Sequence, residues 1–335
     1  MTTLTAERLV RLAYKYPSLE NSWFLIACAC LSVLNQPQEI PKVYHFALRQ
    51  QLLEFKNDEN LLNDKYLLQL AQDSISSSDK FEELSSIGIG LPDVLIPFTY
   101  YSKLPLGFKF NQSTSIFEFQ NLLTLKFREV LLKVCGLIGI PKTINSLTYL
   151  KNVTPTNFRS HNVPQRPNLI NHTNFPSSQI IEEDSCGTRL DEQNGIVDTI
   201  DGPISPNSIN TPVVIDNLKQ GSDLWNKVYS NNLNRKIRNQ IYQAYPDLWY
   251  FIYQGYYSNI LSYSQILSDK ETSLCIITSL IPQDVNPQLK GHLRGALNLG
   301  VPKDQLTDVR SLVFDICDWV GGNYWKGGKD SVAKL

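Results

Sequence analysis

The sequence predicts an all-α chain. Apolar residues recur at alternating three- and four-residue spacing through most of it, which is the period of a helix with one buried stripe. Helix starts and stops punctuate those runs at capping residues, prolines and glycines. An apolar content of 42% over 335 residues is enough for one large or two medium helical domains. The periodic segments fall on both sides of a polar stretch. The expected organisation is therefore a helical domain at 1–150, a linker at 151–220, a second helical domain at 221–322 and a short tail at 323–335.

In the first half, Glu7 to Tyr14, Ser22 to Leu34, Pro41 to Leu53, Asn60 to Ala71 and Phe117 to Leu137 all show helical spacing. Pro37 and Pro41 break the chain between the second and third of these, around the turn Gln38-Glu39-Ile40. The run from Trp23 to Leu34 is the longest apolar one. It is too short to span a bilayer and reads as a buried helix. His45 lies in an amphipathic run and reads as a structural histidine.

Residues 151–220 are rich in Asn, Pro, Ser and Thr. They hold 7 of the 18 prolines and none of the 16 tyrosines or 5 tryptophans. A segment so poor in large apolar groups cannot offset its ordering entropy, so it is expected to be a disordered insertion. His161 and His172 fall in it and are poor candidates for catalysis.

Beyond the insertion, Asp223 to Tyr263 predicts two or three helices rich in Trp and Tyr. Ser268 followed by Glu271 is a capping box, and Leu274-Cys-Ile-Ile277 behind it is apolar on every side, hence buried. The next helix carries Leu289, Leu293, Ala296 and Leu297 as its buried stripe. His292 lies at the stripe's border, and Gly300 is its C-cap ahead of Val301-Pro302. Leu306, Val309, Val313, Ile316 and Val320 describe a last helix ending at Gly321-Gly322. The segment ending Gly139-Ile-Pro-Lys142 parallels Gly300-Val-Pro-Lys303, a weak internal repeat that places Leu131 where His292 stands.

The segment Leu289 to Gly300 resembles the helix that carries the active-site histidine in the carboxymuconolactone decarboxylase family. The matching positions are Leu289, Lys290, His292, Arg294, Ala296, Leu297, Asn298 and Gly300. The resemblance covers roughly residues 221–322, and the first half looks like that of fungal two-part relatives. It implies the all-helical alkylhydroperoxidase D-like fold and a ring-like homo-oligomer, with Trp225, Trp249 and Trp319 as candidates for burial between halves or subunits. It also implies His292 as the acid/base of a decarboxylation acting on a small organic acid, lactone or acyl compound, with no cofactor and no metal.

Gln288, one turn before His292, is the neighbour best placed to orient a substrate. Lys290 and Arg294 form a basic pair that could hold a carboxylate, although both are two residues from His292 and so point away from it. A histidine of near-neutral pKa at a pocket wall can donate and accept protons.

The hydroperoxidase branch of the superfamily uses a Glu, a Cys-x-x-Cys and a His. Counting back from His292, its positions hold Ser273, Val285 and Gln288 here. Without a thiolate nucleophile, that antioxidant chemistry is disfavoured. Two readings therefore stand from the sequence: a decarboxylase-like enzyme, or a non-catalytic oligomeric scaffold that retains the fold.

A net charge of −1 gives no electrostatic footprint for nucleic acid or an acidic membrane. Cys28, Cys135, Cys275 and Cys317 lie in apolar helical runs and read as inert core. Cys28 and Cys30 face different sides of one helix. Cys186 lies in the linker, as expected of a reducing interior. The N-terminal residues lack a secretory pattern. Ala333-Lys334-Leu335 resembles the peroxisomal import tripeptide, which implies the peroxisomal matrix as location and the import receptor as partner. Gly327-Gly328 is expected to leave that tail free.

Overall fold

The computed structural model describes residues 3–50, 64–92, 116–159, 166 and 211–335. Among these there is no strand. The elements are α1 (Ala6–Tyr14), α2 (Trp23–Val33), α3 (Ile40–Gln50), α4 (Asp64–Ser86), α5 (Ile116–Ile138), α6 (Ile140–Asn152), α7 (Thr211–Val228), α8 (Asn231–Ala244) and α9 (Pro246–Tyr250). A π-helix then runs over Phe251–Leu261, followed by α10 (Asp269–Leu280), α11 (Asn286–Asn298) and α12 (Lys303–Val320). None of the described helices is long and apolar enough to cross a membrane.

The core is built on α2 and α10, which pack on each other. All of α2 is buried, as is α10 from Thr272 to Leu280. Each is buried all round because neighbours cover every face, and the Thr278 and Ser279 hydroxyls of α10 are satisfied by carbonyls one turn back. α5 lies against both, with Phe127 stacked on Phe24 at 5.6 Å between ring centroids. The two halves therefore share one continuous core. Polar ties reinforce the join: Asp315 on α12 accepts from Arg11, Lys15 and Tyr16, and Asp308 accepts from Ser18.

Local chemistry sets the helix ends. Ser268 Oγ accepts from the Glu271 amide at 3.2 Å, and Glu271 accepts from the Ser268 amide at 2.9 Å, a complete capping box. Pro37–Glu39 forms a 3₁₀ turn before α3, where the two prolines predict a break. Gly300 adopts φ +79, which lets the Val301 amide reach back to Ala296 and close α11 in a Schellman-type stop. Gly139, between α5 and α6, has φ +92 and makes the parallel bend.

The structure corrects several expectations. The insertion is narrower than 151–220: α6 continues to Asn152, Thr156–Phe158 forms a 3₁₀ turn and α7 begins at Thr211. The Pro- and Asn-rich composition of the middle masks these flanks, whose apolar residues pack against distant elements. Residues 160–165 and 167–210, with His161, His172 and Cys186, lie outside the described residues. α4 runs on to Ser86, well past Ala71.

The tail also differs from a free end. Trp325 is buried and donates from Nε1 to the Ile281 carbonyl at 2.7 Å, while Val332 and Ala333 are buried. Cys135 is only half-buried. Trp225, Trp249 and Trp319 are all engaged inside the chain: Trp225 against Trp249, and Trp319 under Arg8 and Arg11 across the join between halves.

Candidate functional site around His292

α11 enters through Pro287 at its first turn, a position where the missing amide costs nothing. Leu289, Leu293 and Ala296 are buried and Leu297 is half-buried, so the predicted stripe faces the core. Gly291 and Gly295 flank His292 on the side facing the end of α7. A Cβ on Gly295 would come 2.6 Å from Val228 Cγ1, and one on Gly291 would lie 4.0 Å from the Tyr229 ring. Gly295 lets α7 close onto α11, whereas Gly291 has room for a Cβ, and Asn298 ties the contact by donating to the Val228 carbonyl at 2.9 Å.

This close approach decides what His292 meets. Its imidazole lies edge to face with Tyr229, 6.2 Å between centroids. Tyr229 belongs to an aromatic cluster: Trp225 is 4.4 Å from it, and Tyr257 and Trp249 are 4.8 and 5.1 Å from Trp225. Among the described residues, neither nitrogen of His292 meets a hydrogen-bond partner. Desolvation lowers its pKa from 6.5 to about 4. The residue is half-buried, and the loss of water around the ring holds its pKa below the near-neutral value expected from the sequence.

Of the other predicted site residues, Gln288 stands one turn before His292 on the same side of α11, and Lys290 and Arg294 turn away from it. Gln288, Lys290 and Arg294 are exposed, and Lys290 and Arg294 make no ion pair among the described residues. Two residues of helix turn a side chain by about 200°, so their outward direction follows from their spacing to His292. Ser273, at the position of the hydroperoxidase Glu, is buried on α10. Glu271 is committed to its capping box and to Lys126, which it meets at 2.7 Å. The described cysteines lie on α2, α5, α10 and α12 and none on α11, and burial pushes the Cys28 and Cys275 thiols up. Ala333 lies against the start of α11, whereas Lys334 and Leu335 are exposed.

Comparison with known proteins places the chain. It is 35% identical over 325 residues to Peroxisomal protein 2 of Saccharomyces cerevisiae, a match spanning 97% of each chain. It belongs to the Peroxisomal protein 2 family. A second relative, Peroxisomal protein 2 of Schizosaccharomyces pombe, is 31% identical over 191 residues, 57% of this chain and 68% of that one. The protein is accordingly peroxisomal. No protein-family model matches the chain, and no solved structure matches it. The likeness of α11 to the decarboxylase helix therefore rests on the residues of that helix alone.

This family member also holds a polar cluster that the sequence reading passed over. Lys133 on α5 is fully buried, and its ammonium donates to the Leu261 carbonyl at 3.1 Å, the Tyr263 carbonyl at 2.7 Å and Thr272 Oγ1 at 2.7 Å. It thereby closes the C-terminal end of the π-helix, where carbonyls lack partners. Glu129, one turn earlier and also buried, pairs with Lys133 at 3.8 Å and accepts both prongs of the Arg166 guanidinium. Burial lowers the Lys133 pKa to about 8, and the nearby Glu129 charge works in the opposite direction. The spacing shows only that Glu129 and Lys133 can pair along one face of α5; their burial depends on the π-helix and α10 covering that face.

His45 answers to the structural reading. It is fully buried, with Nε2 donating to the Val153 carbonyl at 2.9 Å and Nδ1 accepting from Ser77 Oγ at 3.0 Å. Burial lowers its pKa to about 3.

Proposed function

We propose that this peroxisomal protein is a non-catalytic helical scaffold that forms a homo-oligomer, and that α11 retains a decarboxylase-like shape without its proton-transfer site. The observation that carries this reading is the packing of His292 on Tyr229. An acid/base works best when its pKa lies near the operating pH. Desolvation lowers the pKa of the half-buried imidazole beside Tyr229 to about 4, so it is a weak base and is not charged at neutral pH. The groups expected to hold a carboxylate, Lys290 and Arg294, face solvent instead.

The assembly surface is best sought along α8, α9 and the first residue of the π-helix. There Tyr242, Tyr245, Leu248, Tyr250 and Phe251 are exposed together, between 43% and 60%. Such a cluster of large apolar groups marks an interaction surface in a soluble protein. Light scattering checks this: the expected mass is a multiple of the chain mass, reduced by Tyr245→Ser with Phe251→Ser. A monomer at micromolar concentration sinks the oligomer.

A second reading keeps the enzyme. The match of eight positions between Leu289 and Gly300 favours it, and so do ring nitrogens that no described residue holds. In that reading the protein is a decarboxylase-like lyase with His292 as acid/base and Gln288 orienting the substrate. Turnover of a panel of small unsaturated acids and lactones, compared between the wild type and His292→Gln, separates the two. A loss of 10²–10⁴ in rate would establish the enzyme. No turnover in either protein, with a lowered melting point in the variant, supports the scaffold. The hydroperoxidase chemistry finds no thiol on α11.

The import reading assigns Ala333-Lys334-Leu335 as the tripeptide that the import receptor reads. Deleting it should leave the protein cytosolic and folded, in cells that lack a full-length copy to carry it in.

A further inference from the structure

The end of the chain is built into the fold. Trp325 packs on Phe314 at 4.9 Å and hydrogen-bonds to Ile281. Arg310 on α12 donates to two carbonyls of the tail, Lys329 at 2.8 Å and Val332 at 3.3 Å. Lys329 meets Asp318 at 2.5 Å, and the Lys326 amide reaches Asp284 at 3.3 Å. Val332 is 2% exposed and Ala333 6%. The Ala333 amide donates to Asn286 Oδ1 at 2.6 Å. Lys334 and Leu335 beyond it are exposed.

We propose that the folded protein holds its import tripeptide docked at the start of α11, so that the import receptor engages it only when the tail is released. The proposal rests on the reading of Ala333-Lys334-Leu335 as the targeting tripeptide. A receptor that reads three residues together must surround all three. Here the first is buried and its amide is already spent on Asn286, while the other two protrude. The dock is made from Asn286 of α11, Arg310 of α12 and the Ile281 carbonyl after α10. These groups converge only when the C-terminal helices are folded. Access to the tripeptide is therefore coupled to the folding of the half that carries His292.

The energetics give the expected size. When a receptor binds only a released state, its apparent affinity falls by the fraction released. A buried amide bond and two bonds from a guanidinium hold the tail, so the released fraction is expected to be about a tenth or less.

The test compares three ligands of the receptor's tripeptide-reading domain by calorimetry: a peptide of residues 323–335, the wild-type chain, and the chain with Asn286→Ala and Arg310→Ala. The wild-type chain should bind about tenfold or more weakly than the peptide, and the double variant should recover most of the difference. Equal affinity of peptide and wild-type chain would overturn the proposal while leaving the targeting reading intact. A peptide that does not bind would remove the targeting reading, and the proposal with it. Hydrogen exchange at the Ala333 amide is an independent check that needs no variant. Protection well above a free peptide is expected, and exchange at the free-peptide rate would overturn the dock.

Discussion

Acid should weaken this fold through His45 in a way that can be calculated. The folded pKa of His45 is about 3 against 6.5 for a free imidazole. Between those values the unfolded chain binds a proton that the folded chain refuses, so stability falls as pH drops through that window and is fully present above it. Taking the change from pH 7.5 to pH 5, the unfolded imidazole becomes almost fully protonated while the folded one stays neutral. The loss is about 1.5 pKa units, or about 2 kcal/mol. Burial of the ring, the first cause of the shift, and the Arg49 charge both oppose protonation, whereas the bond to Val153 favours it.

His45→Phe isolates the effect. It leaves Ser77 and the Val153 carbonyl without their partner, so the variant should be less stable than the wild type by about 2–4 kcal/mol at pH 7.5. Its further loss on going to pH 5 should be smaller than that of the wild type by about 2 kcal/mol. Urea unfolding of both proteins at the two pH values measures this difference, and effects of the carboxylates cancel in the comparison. Parallel losses in the two proteins would refute the burial of a neutral His45.

Two further outcomes follow from close packing and buried charge. A Cβ on Gly221 of α7 would fall 2.6 Å from Ser258 Cα and 2.8 Å from its amide nitrogen on the π-helix. Gly221→Ala should therefore destabilise by about 1–3 kcal/mol in spite of the better helix propensity of alanine, and a rise in melting temperature would show that α7 and the π-helix do not approach so closely. Lys133→Met strands the Leu261 and Tyr263 carbonyls and should cost about 3–5 kcal/mol in thermal or urea unfolding. A neutral outcome would mean that the ammonium does not close the π-helix.

Much of the architecture was readable because helical period and capping are local properties. Ser268 and Glu271 form the capping box that their spacing predicts, and Gly300 ends α11 as a glycine before Val-Pro should. The Trp23 run is buried as its composition requires. The π-helix was not readable, because its extra residue per turn depends on packing against α7 and on bonds such as Ser258 Oγ to the Tyr253 carbonyl. The surroundings of His292 were hidden for a similar reason. The residue that meets it, Tyr229, is 63 positions earlier in the chain and follows Val228, which Gly295 allows to pack close on α11. The outward direction of Lys290 and Arg294, by contrast, follows from helix geometry alone. The docked tail depends on Asn286 and Arg310, which no short motif in the tail announces.

The claim that His292 is a packed and proton-silent residue can be measured at the ring itself. An NMR titration of the histidine side chains in the folded protein, with His292 assigned through His292→Gln, reports its protonation directly. The expected result is a ring that stays neutral from pH 8 to about pH 5.5, with a pKa of about 4 that does not move when small unsaturated acids or lactones are added. A pKa near 6.5–7, shifting on addition of one of those compounds, would contradict it and restore His292 as an acid/base at a working site.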